Sequence, residues 1–399
     1  MKRILFNKCN CQNRMVVLEE DYRGFEQGPI RPPSEAKSLL IRVTRNCPWN
    51  KCTFCPVYKN SKFSIRNVEH VKGDIEIIAK FIERLKEIKD ENDKISTYQI
   101  REEFNSLKPK DIYAFGSAYH WFINGMNNIF LQDSNSLIVK PENLVEILEY
   151  IKVQFPWVNR ITSYARSSTI VRISDDKLTA MADAGLNRIH VGMESGSDLV
   201  LKSVKKGATK KTHIDAGTKV KIAGMELSEY MMPGLGGQKF SKIHSLESAD
   251  ALNKMNPDFI RLRPLAIPDL IPLYEDYMNG KFQKCTDLMI VKELRLFINK
   301  LEEIDSKLLS DHILNLFADL EGKFPDDKQK MLNILDSFIK LKPKQRRLYQ
   351  LGRRLGIFST LKDLSNPYLL SQVRTYHNKL KITSKNINEV TDGLMQGFI

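Results

Sequence analysis

The chain is poor in the features that mark several large protein classes. None of its apolar runs approaches the about 20 residues that a membrane-spanning helix needs. Six cysteines in 399 residues are too few for a disulfide scaffold. The amino end offers a short apolar patch after Lys2 and Arg3 but no signal-peptide core. These absences are read together as a cytoplasmic, reducing location. Internal repeats and low-complexity tracts are missing. Gly234, Gly236 and Gly237 are not spaced as a phosphate loop and no Lys-Ser/Thr follows, which argues against a nucleoside triphosphate site. Acidic residues are also in deficit: 48 against 62 basic ones give a net charge of +14. That balance admits an anionic partner such as RNA, or simply a lysine-rich solvated surface.

What is present is concentrated in one loop. Cys47, Cys52 and Cys55 fall in C-x4-C-x2-C spacing directly after a strand-like run at 39–44. Three thiolates can hold three corners of an iron–sulfur cube. A [4Fe–4S] cluster normally takes four, so a three-thiolate loop leaves one iron open to a cofactor or substrate. Zinc is the rival, since C-x2-C is also half a zinc site. A structural zinc site wants a second such pair, and the nearest downstream donor is a lone His70.

Strand and helix patterns alternate from residue 38 to about 270. Apolar residues recur at helical spacing over 74–85 and 112–124, with Gly125 as a stop. Residues 128–132 read as a buried strand, and Pro141 opens a helix to about 153. The pattern continues with a strand at 160–164 and a helix at 175–184 capped by Ser174 and closed by Gly185. A strand at 187–193 precedes a helix from a Thr209 cap to near Gly224. A strand at 226–232, a helix at 241–254 and a last strand at 259–263 complete the run. Six strand–helix units predict a parallel sheet with right-handed crossovers, an α/β fold of partial (β/α)6 TIM type. Helical spacing at 288–304, 310–320 and 326–341 predicts a helical C-terminal domain. The expected organisation is an N-terminal extension (1–35), a core barrel (36–270) and a helical region (271–399) that covers the barrel or shapes the substrate pocket.

The cysteine loop, with the aromatic Phe54 before the last cysteine, resembles that of the radical S-adenosylmethionine (SAM) superfamily, whose usual spacing is C-x3-C-x2-C. The branch it resembles includes methylthiotransferases and oxygen-independent coproporphyrinogen oxidases. The first gap here is one residue longer. The resemblance implies a [4Fe–4S] cluster on Cys47, Cys52 and Cys55, with SAM chelating the fourth iron and cleaving reductively to a 5′-deoxyadenosyl radical that attacks an unidentified substrate. It also implies site residues at the strand ends. Gln132, Asp133 and Ser134 stand where the family receives the SAM amino group. Ser163 and Arg166 offer a hydroxyl and a cation for its carboxylate. Glu194 and Ser195 are placed for the ribose hydroxyls, with Gly196 allowing close backbone approach. Met232 and Gly234 belong to a segment passing near the adenine.

Arg261 and Arg263, two residues apart, are expected to share one face, binding an anionic substrate or pairing with barrel acids. His312 reads as a cap or polar core residue. The basic run Lys340, Lys342, Lys344, Arg346, Arg347, Arg353 and Arg354 could grip phosphates or be the wet face of a helix pair. Cys9, Cys11 and Cys285 are expected to be free or buried thiols rather than a second cluster. No Asp-x-His-x-x-Gly run signals a cobalamin module. The implied partners are a small-molecule or anionic substrate and an electron donor such as flavodoxin or ferredoxin. An RNA-modifying enzyme remains an alternative, as does a non-catalytic iron–sulfur protein that binds or delivers a cofactor such as haem.

Overall fold

The computed structural model describes residues 21–90 and 95–396. Its strands are β1 (Leu39–Arg42), β2 (Thr44–Arg45), β3 (Ser64–Ile65), β4 (Asn128–Gln132), β5 (Arg160–Ala165), β6 (Leu186–Glu194), β7 (Glu226–Met231), β8 (Phe259–Leu262), β9 (Lys307–Leu309) and β10 (Gly322–Lys323). One sheet runs β1-β4-β5-β6-β7-β8-β9-β10, parallel up to β9, with β10 antiparallel at its edge. The edges β1 and β10 do not pair with each other, so the architecture is a partial TIM-type barrel.

Each crossover carries a helix, and the helices hold the outer face. Val68–Glu87 buries Val71, Ile75, Ile78, Ile82 and Leu85, a three-to-four-residue repeat, and starts where the Asn67 side chain accepts the Glu69 N–H. Burying each such side chain contributes about 2 kcal/mol. With the apolar faces of the other crossover helices they share one core with the alternate strand residues Ile129, Leu131, Ile161, Ile189, Val191, Leu227 and Ile260. The other face of the same strands is aromatic and polar: Phe130, Tyr164, His190 and Tyr230 stand ring to ring. Strand period two thus separates an apolar exterior from a chemically equipped interior. Met331, Phe338 and Tyr349 join the same continuous core from the C-terminal helices, and Phe358 from the turn after Pro343–Arg354.

Several expectations are corrected. The run at 39–44 is not one strand: Val43 N makes the last bond to β4, through Gln132 O (2.5 Å), and Thr44–Arg45 turns away to pair with Ser64–Ile65. That ribbon brackets the cysteine loop. The strand at 259–263 is not the last, because β9 and β10 extend the sheet. Residues 310–320 form turns rather than a helix. Their carbonyls are taken by side chains instead: Ser310 Oγ donates to Phe317 O (2.5 Å) and Arg354 Nη1 to Leu314 O (2.6 Å). The apolar spacing there comes from a loop laid on the core. Ser174 stands at the helix start but its side chain makes no capping bond. The helix Thr97–Ser106 adds to the expected elements, and its Ser96/Gln99 capping box is a readable sequence signal. Among the described residues, no helix is long and apolar enough to cross a membrane.

Candidate functional site

Seven parallel strands deliver their carboxyl ends to one side, where a cleft of about 560 Å³ opens. Cys47, Cys52 and Cys55 line it, all half-buried. So do Phe54, Ser134, Arg166, Glu194, Met232, Arg263 and His312, one contribution or more from the end of each parallel strand of the main sheet. The apolar part of the wall comes from Pro29, Ile30, Val57, Pro264 and Leu265.

The cysteine loop is shaped by asparagines and an indole. Asn46 and Asn50 adopt left-handed backbone angles (φ +66° and +45°), which Asn tolerates better than other side chains. Asn46 Nδ2 donates to Lys62 O (2.6 Å) and Asn50 Nδ2 to Tyr58 O. Lys59 Nζ donates to Cys52 O (2.8 Å) and Asn50 O (3.1 Å). Trp49, inside the longer first gap, donates its Nε1–H to Lys205 O (2.8 Å), and its ring packs where a Cβ on Gly207 would come within 2.4 Å. Arg166 lies over the same ring, 5.0 Å from its centroid, and donates to Lys206 O (2.9 Å).

Asp133 is fully buried and closed by partners: Arg42 Nη2 (2.6 Å), the Tyr58 hydroxyl (2.6 Å) and Asn46 N (3.3 Å). A Cβ on Gly28 would strike its carboxylate at 2.2 Å, so glycine is required there. Asp133 does not line the cleft. Neither does Gln132, whose amide pins the segment before Pro29 and Ile30 through Gly28 N (2.8 Å) and Ile30 O (2.7 Å). Ser134 does reach the cleft, donating to Asn46 O (3.0 Å). Ser163 sits on the apolar face of β5 and donates to Leu131 O (3.3 Å).

The end of β6 slips register between Gly192 and Glu194, and Glu194 takes φ +64°. The irregularity turns its carboxylate inward. Oε1 meets Lys206 Nζ (3.2 Å), while Oε2 is buried without a partner. Burial alone would lower the Lys206 ammonium, but the Glu194 carboxylate and the Cys52 sulfur together outweigh it and raise the pKa. Ser195 faces the other way, Oγ against His244 Nδ1 (2.8 Å). Gly196 is demanded by packing, since a Cβ would lie 2.2 Å from Glu247 O on the helix Gly237–Met255. Gly234 (φ +84°) donates its N–H to Glu293 Oε1 (2.7 Å) and is not part of the cleft. Arg261 and Arg263 divide the roles expected of them. Arg261 is buried against Ser228 Oγ (3.1 Å) and Asp311, whereas Arg263 faces the cleft.

Sequence reasoning missed Tyr58, Lys59, Lys206 and His213 in the lining, which carry no motif, and set His312 aside. Cys285 is buried beside a smaller separate cavity, with its thiol pushed up to about 12 by burial. Cys9 and Cys11 lie outside the described residues.

Burial pushes the Cys52 and Cys55 thiols up, opposed by the Lys206, Arg166 and Arg263 charges. Among the described residues, no three His, Cys, Asp or Glu side chains converge as one metal ion would require. Three sulfurs spread around one cleft, beside an unpartnered buried carboxylate oxygen, fit a polynuclear cluster with an open corner and a polar cofactor next to it.

The family described as the Radical SAM superfamily matches residues 41–248, just over half of the chain. The 4′-phospho-dehydrooxetanocin synthase of Priestia megaterium is 26% identical over 256 residues, covering 61% of this chain and 29% of that protein. The tRNA uridine(34) acetyltransferase of Methanocaldococcus infernus is 24% identical over 280 residues, covering 64% of this chain and 48% of that protein. The chain therefore spans less than half the length of either curated relative. Among solved structures, methylornithine synthase is similar at 14% identity and a TM-score of 0.41, covering 75% of this chain and 81% of its own.

Proposed function

The chain belongs to the radical SAM superfamily, and from that premise we propose that its cleft binds a [4Fe–4S] cluster and SAM side by side and presents them to a substrate held deeper in the barrel. Those two cofactors are the superfamily's own. When bound, they supply reductive cleavage of the sulfonium C–S bond to a 5′-deoxyadenosyl radical, given one electron from a donor such as flavodoxin or ferredoxin.

The residues take the following parts. Cys47, Cys52 and Cys55 would hold three irons. Ser134 and Arg166 stand nearest in role to the amino and carboxylate groups of SAM, and the free Oε2 of Glu194 to its ribose hydroxyls. Phe54 and Met232 offer apolar flanks for the adenine, and with Pro29, Ile30 and Leu265 they exclude water. Asp133, Gln132, Ser163, Ser195 and Gly234 act behind the wall, fixing the loops that carry these groups. The observation that carries the reading is the meeting of three cysteines, Arg166 and Glu194 from three different strand ends in one cleft. The test is anaerobic reconstitution, reduction with dithionite and addition of SAM. 5′-Deoxyadenosine from the native chain and none from the Cys47/Cys52/Cys55→Ala triple variant supports the reading. A tightly bound zinc in place of iron overturns it.

RNA modification is a second reading, favoured by the +14 net charge and by the tRNA-modifying relative. The basic run supports it only in part. Lys340, Lys342 and Lys344 are exposed, but Arg354 is buried and bound to Asp287 Oδ1 (3.2 Å). Salt-sensitive tRNA binding lost on neutralising Lys340, Lys342, Lys344 and Arg346 together would favour it; binding indifferent to all four would count against it.

A further inference from the structure

The cleft is lined by four cationic side chains, Lys59, Arg166, Lys206 and Arg263, and by one carboxylate, Glu194. Three of the cations are already engaged. Lys59 is spent on the carbonyls of Asn50 and Cys52, Arg166 on Trp49 and the Lys206 carbonyl, and Lys206 on Glu194. The Arg263 guanidinium has no hydrogen bond or ion pair with any described residue; it lines the cleft just past the end of β8, on the part of it that is open to solvent. A planar guanidinium left unpaired in a concave site is suited to bidentate recognition of an oxyanion.

Two further donors stand with it. His312 lies in the same lining, and its Nδ1 accepts the Leu314 N–H (3.3 Å). That bond assigns the proton of a neutral ring to Nε2, which is left as a donor for the cleft. The ring is neutral at pH 7, because burial and then the neighbouring Arg263 charge push it down to about 4. Tyr230, from the inner face of β7, is more than nine-tenths buried and lines the cleft with a hydroxyl that has no hydrogen-bond partner. The ring of Tyr164 stands beside it, 6.5 Å between centroids, and the two phenols act on each other. A buried hydroxyl without a partner costs about 1–3 kcal/mol unless something else satisfies it. The one carboxylate in the lining is Glu194, whose Oε1 is held by Lys206.

We infer that Arg263, His312 and Tyr230 form the seat for an oxyanion, a carboxylate or phosphate group carried by a small-molecule substrate that enters the barrel beside SAM. The inference rests on the radical SAM reading for the position of SAM. It deepens that reading by giving the substrate a charge and an anchoring point. Holding the anion in the barrel fixes the rest of the substrate toward the cysteine loop, the orientation that hydrogen abstraction needs.

The test uses the full, anaerobically reconstituted chain, titrated calorimetrically with inorganic phosphate and separately with succinate, each with and without saturating SAM. One of the two probes binds at one site per chain alongside SAM, and its identity tells phosphate from carboxylate. Arg263→Gln weakens that binding about tenfold or more, the loss of one charged anchor. Arg263→Lys retains part of it, and Lys37→Gln, on the outer surface, leaves it unchanged. Should Arg263→Gln melt early, His312→Phe, which removes one donor without removing charge, carries the test with a smaller weakening. The inference is overturned if neither probe binds, if Arg263→Gln and His312→Phe both bind like the native chain, or if SAM displaces the probe. Displacement would make Arg263 the holder of SAM's own carboxylate. Formation of 5′-deoxyadenosine by the native chain is scored separately. An Arg263-dependent anion site without SAM cleavage would sink the chemistry and leave the site standing.

Discussion

Trp49 lies across the guanidinium of Arg166, 5.0 Å from ring centroid to Cζ, and joins the cysteine loop to the loop after β6. The longer C-x4-C gap is what provides this indole. Its Nε1–H takes the Lys205 carbonyl, its ring fills the space above Gly207, and Arg166 is left stacked on its face toward the cleft. Trp49→Ala is expected to free Arg166 and raise the KM for SAM about tenfold, with a smaller change in kcat, since a stacked cation contributes about 1 kcal/mol and the hydrogen bond a similar amount. Trp49→Phe keeps the stacking and should recover part of the affinity. Steady-state kinetics of SAM cleavage, with iron content measured on the same samples, distinguish this from simple loss of the cluster.

Asp133 is expected to behave as a support. It is enclosed by Arg42, Tyr58 and Asn46, and removing it leaves the Arg42 charge without its nearest partner. Asp133→Ala should destabilise the protein by about 3 kcal/mol, seen as a lower urea midpoint. Unchanged stability together with lost SAM affinity would instead return Asp133 to the role of amino-group acceptor.

Glu194→Gln tests the unpartnered Oε2. The substitution keeps the shape and removes the charge that holds Lys206. SAM affinity should fall about tenfold or more while iron content stays at the native level. Equal SAM binding by the two proteins would remove Glu194 from the SAM site.

The interior imidazoles make the fold acid-sensitive. Burial pushes His190 down to about 4 and His213 down to about 3, against 6.5 for the free side chain. Below pH 6.5 the unfolded chain takes up protons that the folded one refuses, so stability is fully present above that value and falls as the pH drops toward 4 and then 3. Urea midpoints measured between pH 7 and pH 4 should decline steadily. The slope should be shallower in His190→Phe, and an identical slope would exclude His190 as a cause.

The sequence was most legible where pattern and motif agree. The six barrel strands, most of their helices and the cysteine loop follow from periodicity, glycine stops and thiol spacing. Less legible was which way side chains face at strand ends. Ser163 and Arg166 are three residues apart, yet strand period two sends Ser163 to the apolar face while Arg166, past the strand end, turns into the cleft. Glu194 and Ser195 part company because a register slip and a left-handed residue intervene. Lys206 and His312 come to the cleft from loops with no motif, and only the tertiary fold brings them there. Residues 310–320 misled because the apolar Leu314, Leu316, Phe317 and Leu320 are buried by a loop lying on the core rather than by one face of a helix.

The most direct measurement is electron paramagnetic resonance of the dithionite-reduced, reconstituted chain before and after SAM is added. A site with three thiolates and one open iron gives about four irons per chain and a cluster signal that shifts when SAM binds. A signal indifferent to SAM, or a chain that holds zinc and no cluster, would contradict the account.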